Sequence, residues 1–403
     1  MIDRLKQFDL RFVFLIGLLI FLPSFEAPKN IFALLFVVSW VVIAKRENNW
    51  GGKWRVIDTI FLLWILADIA VSINAVITHQ LPGENFRDII RFVLIAWVLS
   101  RTNFSKNQMS KLALIAVMST VVTILYSYAT LLGSRVELNS VGHINHTAIY
   151  LVLSYALSLT LLAFNFNHLA NWERLLLFFA TIVLFVATVD TDSRATMGLL
   201  IIVTLFNMFY FVLHYRKIKF ALAAILICTL LATWLAYNPP VALQRIQANK
   251  NILQDLTRDK IRNFSYYAFK TNPILGVGLG NHGELGLADI KEEVINDFGV
   301  FDTTKYLPFA HAHNVYYTYL VSGGVLLFSI FSWFWFYIAR TLFKFRATMD
   351  NRWVFVSAAN VILINLGVGW VNTTLHHEHA ILSMFVLGLL ISLARKDLCK
   401  TNE

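Results

Sequence analysis

Apolar stretches long enough to cross a bilayer recur from one end of the 403-residue chain to the other. Bilayer hydrocarbon is about 30 Å thick, and a helix needs roughly 20 apolar residues to cross it. Only 14% of the residues are charged, whereas a soluble domain carries about 25%. The sequence therefore predicts an all-α polytopic membrane protein with about 12 transmembrane helices. The predicted spans are 12–25, 30–44, 56–77, 88–100, 112–132, 147–164, 175–189, 195–213, 220–237, 314–339, 353–371 and 380–394.

The distribution of Lys and Arg predicts which side of the membrane each segment faces. Of the 34 basic residues, 21 lie in one set of short segments, five lie in the opposite set and eight lie in the long segment 238–312. Short cytoplasmic loops carry the excess of Lys and Arg. Both termini are therefore predicted to be cytoplasmic, and segment 238–312 to face outward. The chain then divides into helices 1–9 (1–237), an outer loop with amphipathic helices (238–312), and helices 10–12 with the tail (313–403).

Charge and motifs exclude several classes of function. The net charge of +10 comes from short basic clusters between apolar runs, which is typical of topology signals rather than of nucleic-acid binding. The sequence contains no Walker loop, and GVGLGN at 276–281 has the wrong spacing for a dinucleotide fingerprint. We interpret that stretch as a structural turn. A reaction on the outer side lacks cytosolic ATP, so any transferred group must arrive already activated, most simply on a lipid.

The stretch DTDSRATMG at 190–198 places Arg194 in a very short outer connection. A charge so close to hydrocarbon is costly and is usually paired or functional. One interpretation is an interfacial anchor, or a salt bridge to Asp190 or Asp192. The other is a phosphate clamp, since a guanidinium group matches phosphate oxygens in a bidentate way.

A second stretch, 255–281, contains Arg258 and Arg262, which share one face of a predicted helix. A neighbouring apolar stripe predicts an amphipathic helix that lies on the membrane and ends near Asn272 and Pro273. The two arginines either contact lipid headgroups or bind substrate. The stripe consists of Ile261, Phe264, Tyr267 and Ala268.

The third stretch, PFAHAHN at 308–314, places His313 at the N-terminus of a helix that begins near Asn314. The helix dipole there disfavours a charged imidazole, and a neutral imidazole suits a general base. Two alternatives are a plain interfacial histidine and a metal site formed with HHEH at 376–379.

Two further groups lie near predicted spans three and four. Arg87 and Arg91 share a helical face near the outer end of span four, where they either bind phosphate or pair with Asp88 or Glu84. Asp68 lies midway along span three, which is unusual in hydrocarbon, and we expect it to have a structural partner.

Together these motifs resemble the O-antigen ligase and polymerase superfamily of bacterial inner membranes. The resemblance rests on the order of spans, the short SRA turn, Arg258 fourteen residues before NPILGVGLGN (272–281), HAHN at 311–314, and the glycine element that begins at Ser322-Gly323-Gly324. Arg262 stands where the family often has tryptophan. The resemblance implies a GT-C-like fold in the inner membrane and an inverting transferase with a periplasmic site, no metal and no other cofactor.

The resemblance implies two substrates. The donor is an undecaprenyl-diphosphate-linked glycan, and the acceptor is lipid A–core oligosaccharide. His313 is then the base, and Arg194 and Arg258 stabilise the departing diphosphate. The expected substrate-binding residues are Arg262, Arg87, Arg91, His311 and Asn314. The single large outer loop favours a ligase. The alternatives are a polymerase of the same superfamily, a protein-glycosylating relative, and a transporter of an anionic lipid or glycan.

Overall fold

The computed structural model of the protein is helical wherever it describes the chain. The described residues are 9–83, 86–130, 136–215, 256–345 and 351–400. Within these segments there are thirteen α-helices and no β-strand, which confirms the predicted all-α polytopic class. The ninth predicted span, 220–237, and the predicted boundary at 237/238 lie outside the described residues.

Each of the other predicted spans coincides with one helix. Nine of the helices in the described segments are long and apolar enough to cross a membrane, while α1 with 12 residues and α4 with 15 are shorter. The helices are α1 (Leu10–Phe21), α2 (Glu26–Glu47), α3 (Val56–His79), α4 (Phe86–Ser100), α5 (Lys106–Thr130), α6 (Ile144–Phe164), α7 (Asn171–Asp190), α8 (Arg194–Tyr215), α9 (Leu256–Thr271), α10 (Leu287–Phe298), α11 (Val315–Phe345), α12 (Arg352–Gly369) and α13 (His377–Lys400).

Burial separates central helices from peripheral ones. Nearly all side chains of α6 and of the apolar part of α13 are buried, whereas most side chains of α7 and α8 are at least partly exposed. On α7 the outward side chains include Leu175, Phe178 and Phe179, each more than half exposed. Helices with such apolar outer surfaces are suited to lipid rather than to water. The bundle therefore has α6 and α13 at its centre and presents α7 and α8 to the bilayer.

Helix α11 is broken at Gly324, which has φ 59° and ψ −159°. The break releases backbone groups inside the predicted span 314–339, where unpaired groups are costly. The turn after α9 supplies the partners. Val325 donates its N–H to the carbonyl of Pro273 at 2.8 Å, and Leu326 donates to the carbonyl of Ile274 at 3.3 Å.

The glycine-rich turn at 276–281 fits closely against the same break. The N–H of Gly278 donates to the carbonyl of Ser322 at 2.8 Å. Gly276 has φ 62°, and a Cβ atom there would lie 2.4 Å from the carbonyl oxygen of Val321. Only glycine tolerates both the positive φ and the close approach. The turn is therefore structural, as predicted, and its function is to complete α11.

Helix α9 ends at Thr271, as the sequence predicts, but its apolar stripe does not face lipid. Phe264, Tyr267 and Ala268 are buried in a small separate core with Ile290 and Val294 of α10. Protein covers this side of the helix, so the prediction of a helix lying apolar side down on the membrane is wrong in this respect. The stripe instead fixes the rotation of α9 about its axis and hence the direction of its arginines.

The polar side chains collect at two opposite ends of the bundle. The start of α13 lies at one end, which we call the histidine end, and Arg395 near the end of α13 lies at the other, together with Asp58 and Arg101. We call the second end the Asp58 end. The histidine end contains His143, His146, His311, His313, His376, His377 and His379.

Candidate active site

A polar cavity of about 220 Å³ opens at the histidine end. Arg194 and Arg258, which come from separate sequence motifs, both line it. The turn between α7 and α8 supplies one wall, and Asn145 of α6 and Asn372, just after α12, supply polar amides to the others. The cavity therefore combines two guanidinium groups and two amides, which are donors suited to an anionic ligand.

Arg194 owes its position to the tight turn before α8. Asp192 has φ 55°, a left-handed conformation that reverses the chain within three residues, and α8 then begins at Arg194 itself. Asp190 accepts a hydrogen bond from the hydroxyl of Tyr128 at 3.0 Å. Asp192, the other carboxylate considered as a partner for Arg194, lines the same cavity.

The two arginines of α9, which the sequence predicts to share one face, have different surroundings in the structure. Arg258 in the first turn is half-buried and lines the cavity. Arg262, one turn later, is about half exposed and forms an ion pair with Asp259 at 2.8 Å. An exposed ion pair of this kind holds a side chain only weakly. Arg258 is thus the arginine of α9 that the fold directs to the cavity.

His313 lies immediately before α11 in a left-handed conformation with φ 47°. Its ring packs against His311, with ring centroids 4.2 Å apart, and against Phe309 at 5.1 Å. Burial, the nearby His311 and the charge of Arg258 together lower the pKa of His313 to about 4, with burial the largest cause, and a hydrogen bond with Asn372 opposes the shift. The imidazole is therefore neutral at pH 7. The sequence predicted a neutral ring from the helix dipole, but burial is the main cause.

Asn314 caps α11 and joins it to the end of α12. Its side-chain oxygen accepts hydrogen bonds from the N–H groups of Tyr316 and Tyr317 at 2.9 and 3.1 Å, as an N-cap residue does. Its side-chain nitrogen donates to the carbonyl of Trp370 at 2.9 Å. These bonds occupy the Asn314 amide and fix the backbone next to His313.

A buried pair that the sequence did not reveal holds the loop of His313. The Nδ1 atom of His282 lies 2.7 Å from the carbonyl oxygen of Phe309, and its Nε2 atom lies 2.8 Å from the hydroxyl of Ser265. Since a carbonyl only accepts, Nδ1 carries the proton and Nε2 accepts from Ser265. Ser265 belongs to α9, two turns after Arg258. His282 thus connects the helix of Arg258 to the loop of His313.

Arg87 and Arg91 lie in the first turns of α4, outside the residues that line the cavity. Arg91 donates to Asn30 at 2.7 Å and to Asp88 at 2.9 Å, which is the structural pairing considered above. Arg87 is exposed. The other oxygen of Asp88 lies near His376 and His377, at the edge of a second group of histidines.

Asp68 has no hydrogen-bond partner among the described residues, although its carboxylate is fully buried in α3. The expected structural partner is therefore not found there. The hydroxyl of Tyr319 and the indole nitrogen of Trp64 are also buried without partners in the described part of the chain.

The fold and the site define a multi-pass membrane protein with an arginine-lined cavity beside a group of histidines at one end. Residues 179–332 match the family model described as O-antigen ligase, and this match supports assigning the chain to that family. The matched segment contains Arg194, Arg258, the glycine turn and His313. The family indicates a glycosyltransferase-like ligase or polymerase that uses lipid-linked glycan and acceptor substrates. A comparison of the chain with curated proteins finds no match.

Proposed function

We propose that the protein is an O-antigen ligase of the inner membrane. It transfers O-antigen polysaccharide from undecaprenyl diphosphate to lipid A–core oligosaccharide in the periplasmic leaflet, with both termini of the chain in the cytoplasm. One observation carries the proposal. Arg194, Arg258 and Asn372 line the same cavity, and Asn372 forms a hydrogen bond with the neutral His313. The excess of Lys and Arg in the opposite loops supports a periplasmic position for this cavity.

The arginines act on the leaving group. When the glycosyl bond breaks, negative charge develops on the diphosphate oxygen that held the sugar. Arg194 and Arg258 approach from two different helices, so their guanidinium groups are already in place and stabilise this charge in the transition state. This role needs no metal ion. Arg262 and Arg87, both exposed, bind donor or acceptor phosphates at the edge of the site.

His313 acts as the general base. The acceptor hydroxyl attacks the anomeric carbon, its proton passes to the imidazole of His313, and the bond to the diphosphate breaks with its electron pair. A single displacement of this kind inverts the configuration at that carbon. Proton removal by a positioned base contributes about 100- to 10,000-fold to the rate.

Binding of the donor strengthens this base. In the free protein the positive charge of Arg258 lowers the pKa of His313. A bound diphosphate neutralises that charge and adds negative charge, and both changes favour the protonated imidazole. His311, Asn314 and Arg91 position the base and the start of α4 through the contacts described above.

The decisive experiment is an assay of the purified protein in detergent with lipid-linked donor, in parallel with and without core-lipid acceptor. A ladder that forms only with core lipid supports the ligase. A ladder from donor alone identifies a polymerase, and the absence of any covalent product, together with donor movement in sealed vesicles, identifies a transporter.

Arg258→Ala and His313→Ala test the assigned residues in the same assay. Both variants should be stable and inserted, and both should transfer no detectable glycan. Lys260→Ala is the matched control because it removes an exposed cation of the same helix that does not line the cavity. Near-normal transfer by either of the first two variants removes that residue from the mechanism.

A further inference from the structure

A second polar cluster lies beside the proposed active site and plays no part in the transfer described above. The ring of His146, near the start of α6, lies 5.8 Å from His376, 5.6 Å from His377 and 5.3 Å from His379 at the start of α13. The rings of His376 and His377 lie only 3.6 Å apart. None of these residues lines the cavity of Arg194 and Arg258.

Asp88 completes the cluster with one carboxylate oxygen. Its Oδ2 atom lies 3.9 Å from Nε2 of His376 and 3.9 Å from Nδ1 of His377. One potential ligand atom from each of these three residues lies within 4.8 Å of the others. Ligand atoms around one tetrahedral zinc ion are separated by about 3.3 Å, given bonds of about 2.0 Å. Binding an ion therefore requires these partly exposed side chains to reorient so that their ligand atoms approach one another.

The surroundings orient the carboxylate toward the histidines. Arg91 donates to Oδ1 of Asp88 at 2.9 Å and so leaves Oδ2 directed at the two imidazoles. A hydrogen bond that fixes a metal-binding carboxylate in this way is a common outer contact of metal sites. The side chains of His376 and His377 are 37% and 41% exposed, so an ion can reach them from solvent.

The backbone and a buried nitrogen both distinguish this cluster from ordinary packing. Leu375 and His377 have φ of 53° and 49°, left-handed conformations that cost free energy for residues other than glycine. The Nδ1 atom of His146 is buried without a hydrogen-bond partner among the described residues. Buried imidazole nitrogens normally have a partner, and a metal ion is one partner that imidazole binds well.

We propose that Asp88, His376 and His377 bind one divalent transition-metal ion and that His146, whose ring lies 5.6 Å from that of His377, turns toward it as the fourth ligand. Three imidazoles and a carboxylate favour zinc over calcium and magnesium, which prefer oxygen ligands. The ion joins the starts of α4, α6 and α13 next to the loop of His313. This site is additional to the proposed transfer reaction, in which the arginines stabilise the diphosphate.

Cobalt is the probe for the experiment because Co²⁺ occupies zinc sites and absorbs visible light. The full chain, purified in detergent without a histidine tag and dialysed against chelator, is titrated with Co²⁺ and then with Zn²⁺. We expect one equivalent of Co²⁺ to bind with the absorption of a four-coordinate ion and to be displaced by Zn²⁺. Less than one bound equivalent at micromolar free Co²⁺ overturns the proposal.

Variants locate the site. The double variant His376→Ala/His377→Ala should lower the affinity for Co²⁺ at least about 100-fold, and Asp88→Asn about 10-fold. His168→Ala, which removes an exposed histidine of the 3-10 helix Phe166–His168, should bind like the wild type. Unchanged binding by the double variant, or by Asp88→Asn where the double variant does not fold, contradicts the assignment. Because binding is measured directly, the result does not depend on the proposed transfer activity.

Discussion

Arginines occur at both ends of the bundle, but their partners differ. At the Asp58 end, the carboxylate of Asp58 is fully buried. Its Oδ1 atom accepts hydrogen bonds from Trp97, Arg101 and Arg395, at 2.8, 2.8 and 2.5 Å. Its Oδ2 atom accepts from the backbone N–H of Arg55 at 2.8 Å. This carboxylate and the two guanidinium groups join α3, the end of α4 and α13.

At the histidine end, Arg194 and Arg258 line a cavity together with Asp192, whose side chain is only partly buried. Nearby, Nδ1 of His313 is buried without a partner among the described residues. The comparison shows that residue type alone does not reveal function. An arginine that surrounds an enclosed carboxylate holds helices together, whereas an arginine on the wall of a cavity lies where an anionic ligand can reach it.

The largest effect is expected at the Asp58 end. Asp58→Ala leaves the cations of Arg101 and Arg395 buried without their carboxylate, and breaking a buried pair in this way costs about 3–5 kcal/mol. We expect a marked fall in the thermal unfolding midpoint in detergent. An unchanged midpoint would remove the distinction between the two ends.

Arg258→Ala should have the opposite signature. It removes one preorganised cation from the departing diphosphate, and losses of this kind are about 100- to 1000-fold in rate. The thermal midpoint should stay near that of the wild type. Transfer kinetics with lipid-linked donor, alongside the unfolding measurement, check this prediction, and a variant that loses stability instead would make Arg258 a structural residue like Arg101.

A smaller effect is expected from His282, which does not line the cavity and acts through Phe309. His282→Ala releases the loop of His313 and should lower kcat about 10-fold. His282→Asn, which retains a donor for the Phe309 carbonyl, should recover part of the rate. Equal losses in both variants, or a loss confined to stability, would contradict a positioning role.

The smallest effect is expected from pH. The pKa of His313 is lowered to about 4 by burial, so the imidazole is unprotonated throughout the range from pH 5 to 8. The acid limb of the kcat/KM profile, which reports the free enzyme, should therefore be flat there and fall only as pH drops toward 4. The corresponding pKa in kcat should be higher because bound diphosphate raises it. A kcat/KM profile with a base pKa near 6.5 would contradict the burial of His313.

The spans were predictable because hydrocarbon imposes a length and a composition on every helix that crosses it. The start of α11, the end of α9 and the structural glycine turn also followed from local signals at Asn314, Pro273 and the glycines. The apolar stripe of α9 was assigned to lipid, since a sequence cannot distinguish a lipid surface from a small protein core such as the one containing Ile290.

The candidate site was predictable only in part. Arg194, Arg258 and His313 are unusual near hydrocarbon or belong to motifs, so they stood out from the chain. His282 did not, because its two partners lie 17 and 27 residues away along the chain in positions without periodicity. Asp68 has no partner among the described residues because of the way α3 packs against other helices. A local sequence pattern cannot predict that packing.

The break in α11 has a consequence for biogenesis. The N–H groups of Val325 and Leu326 find their acceptors on Pro273 and Ile274, which precede the helix in the chain. If segment 238–312 is translocated as proposed, α11 cannot reach its final hydrogen bonding until that segment has crossed the membrane and docked. Assembly of this membrane helix would then depend on the export of the polypeptide just upstream of it.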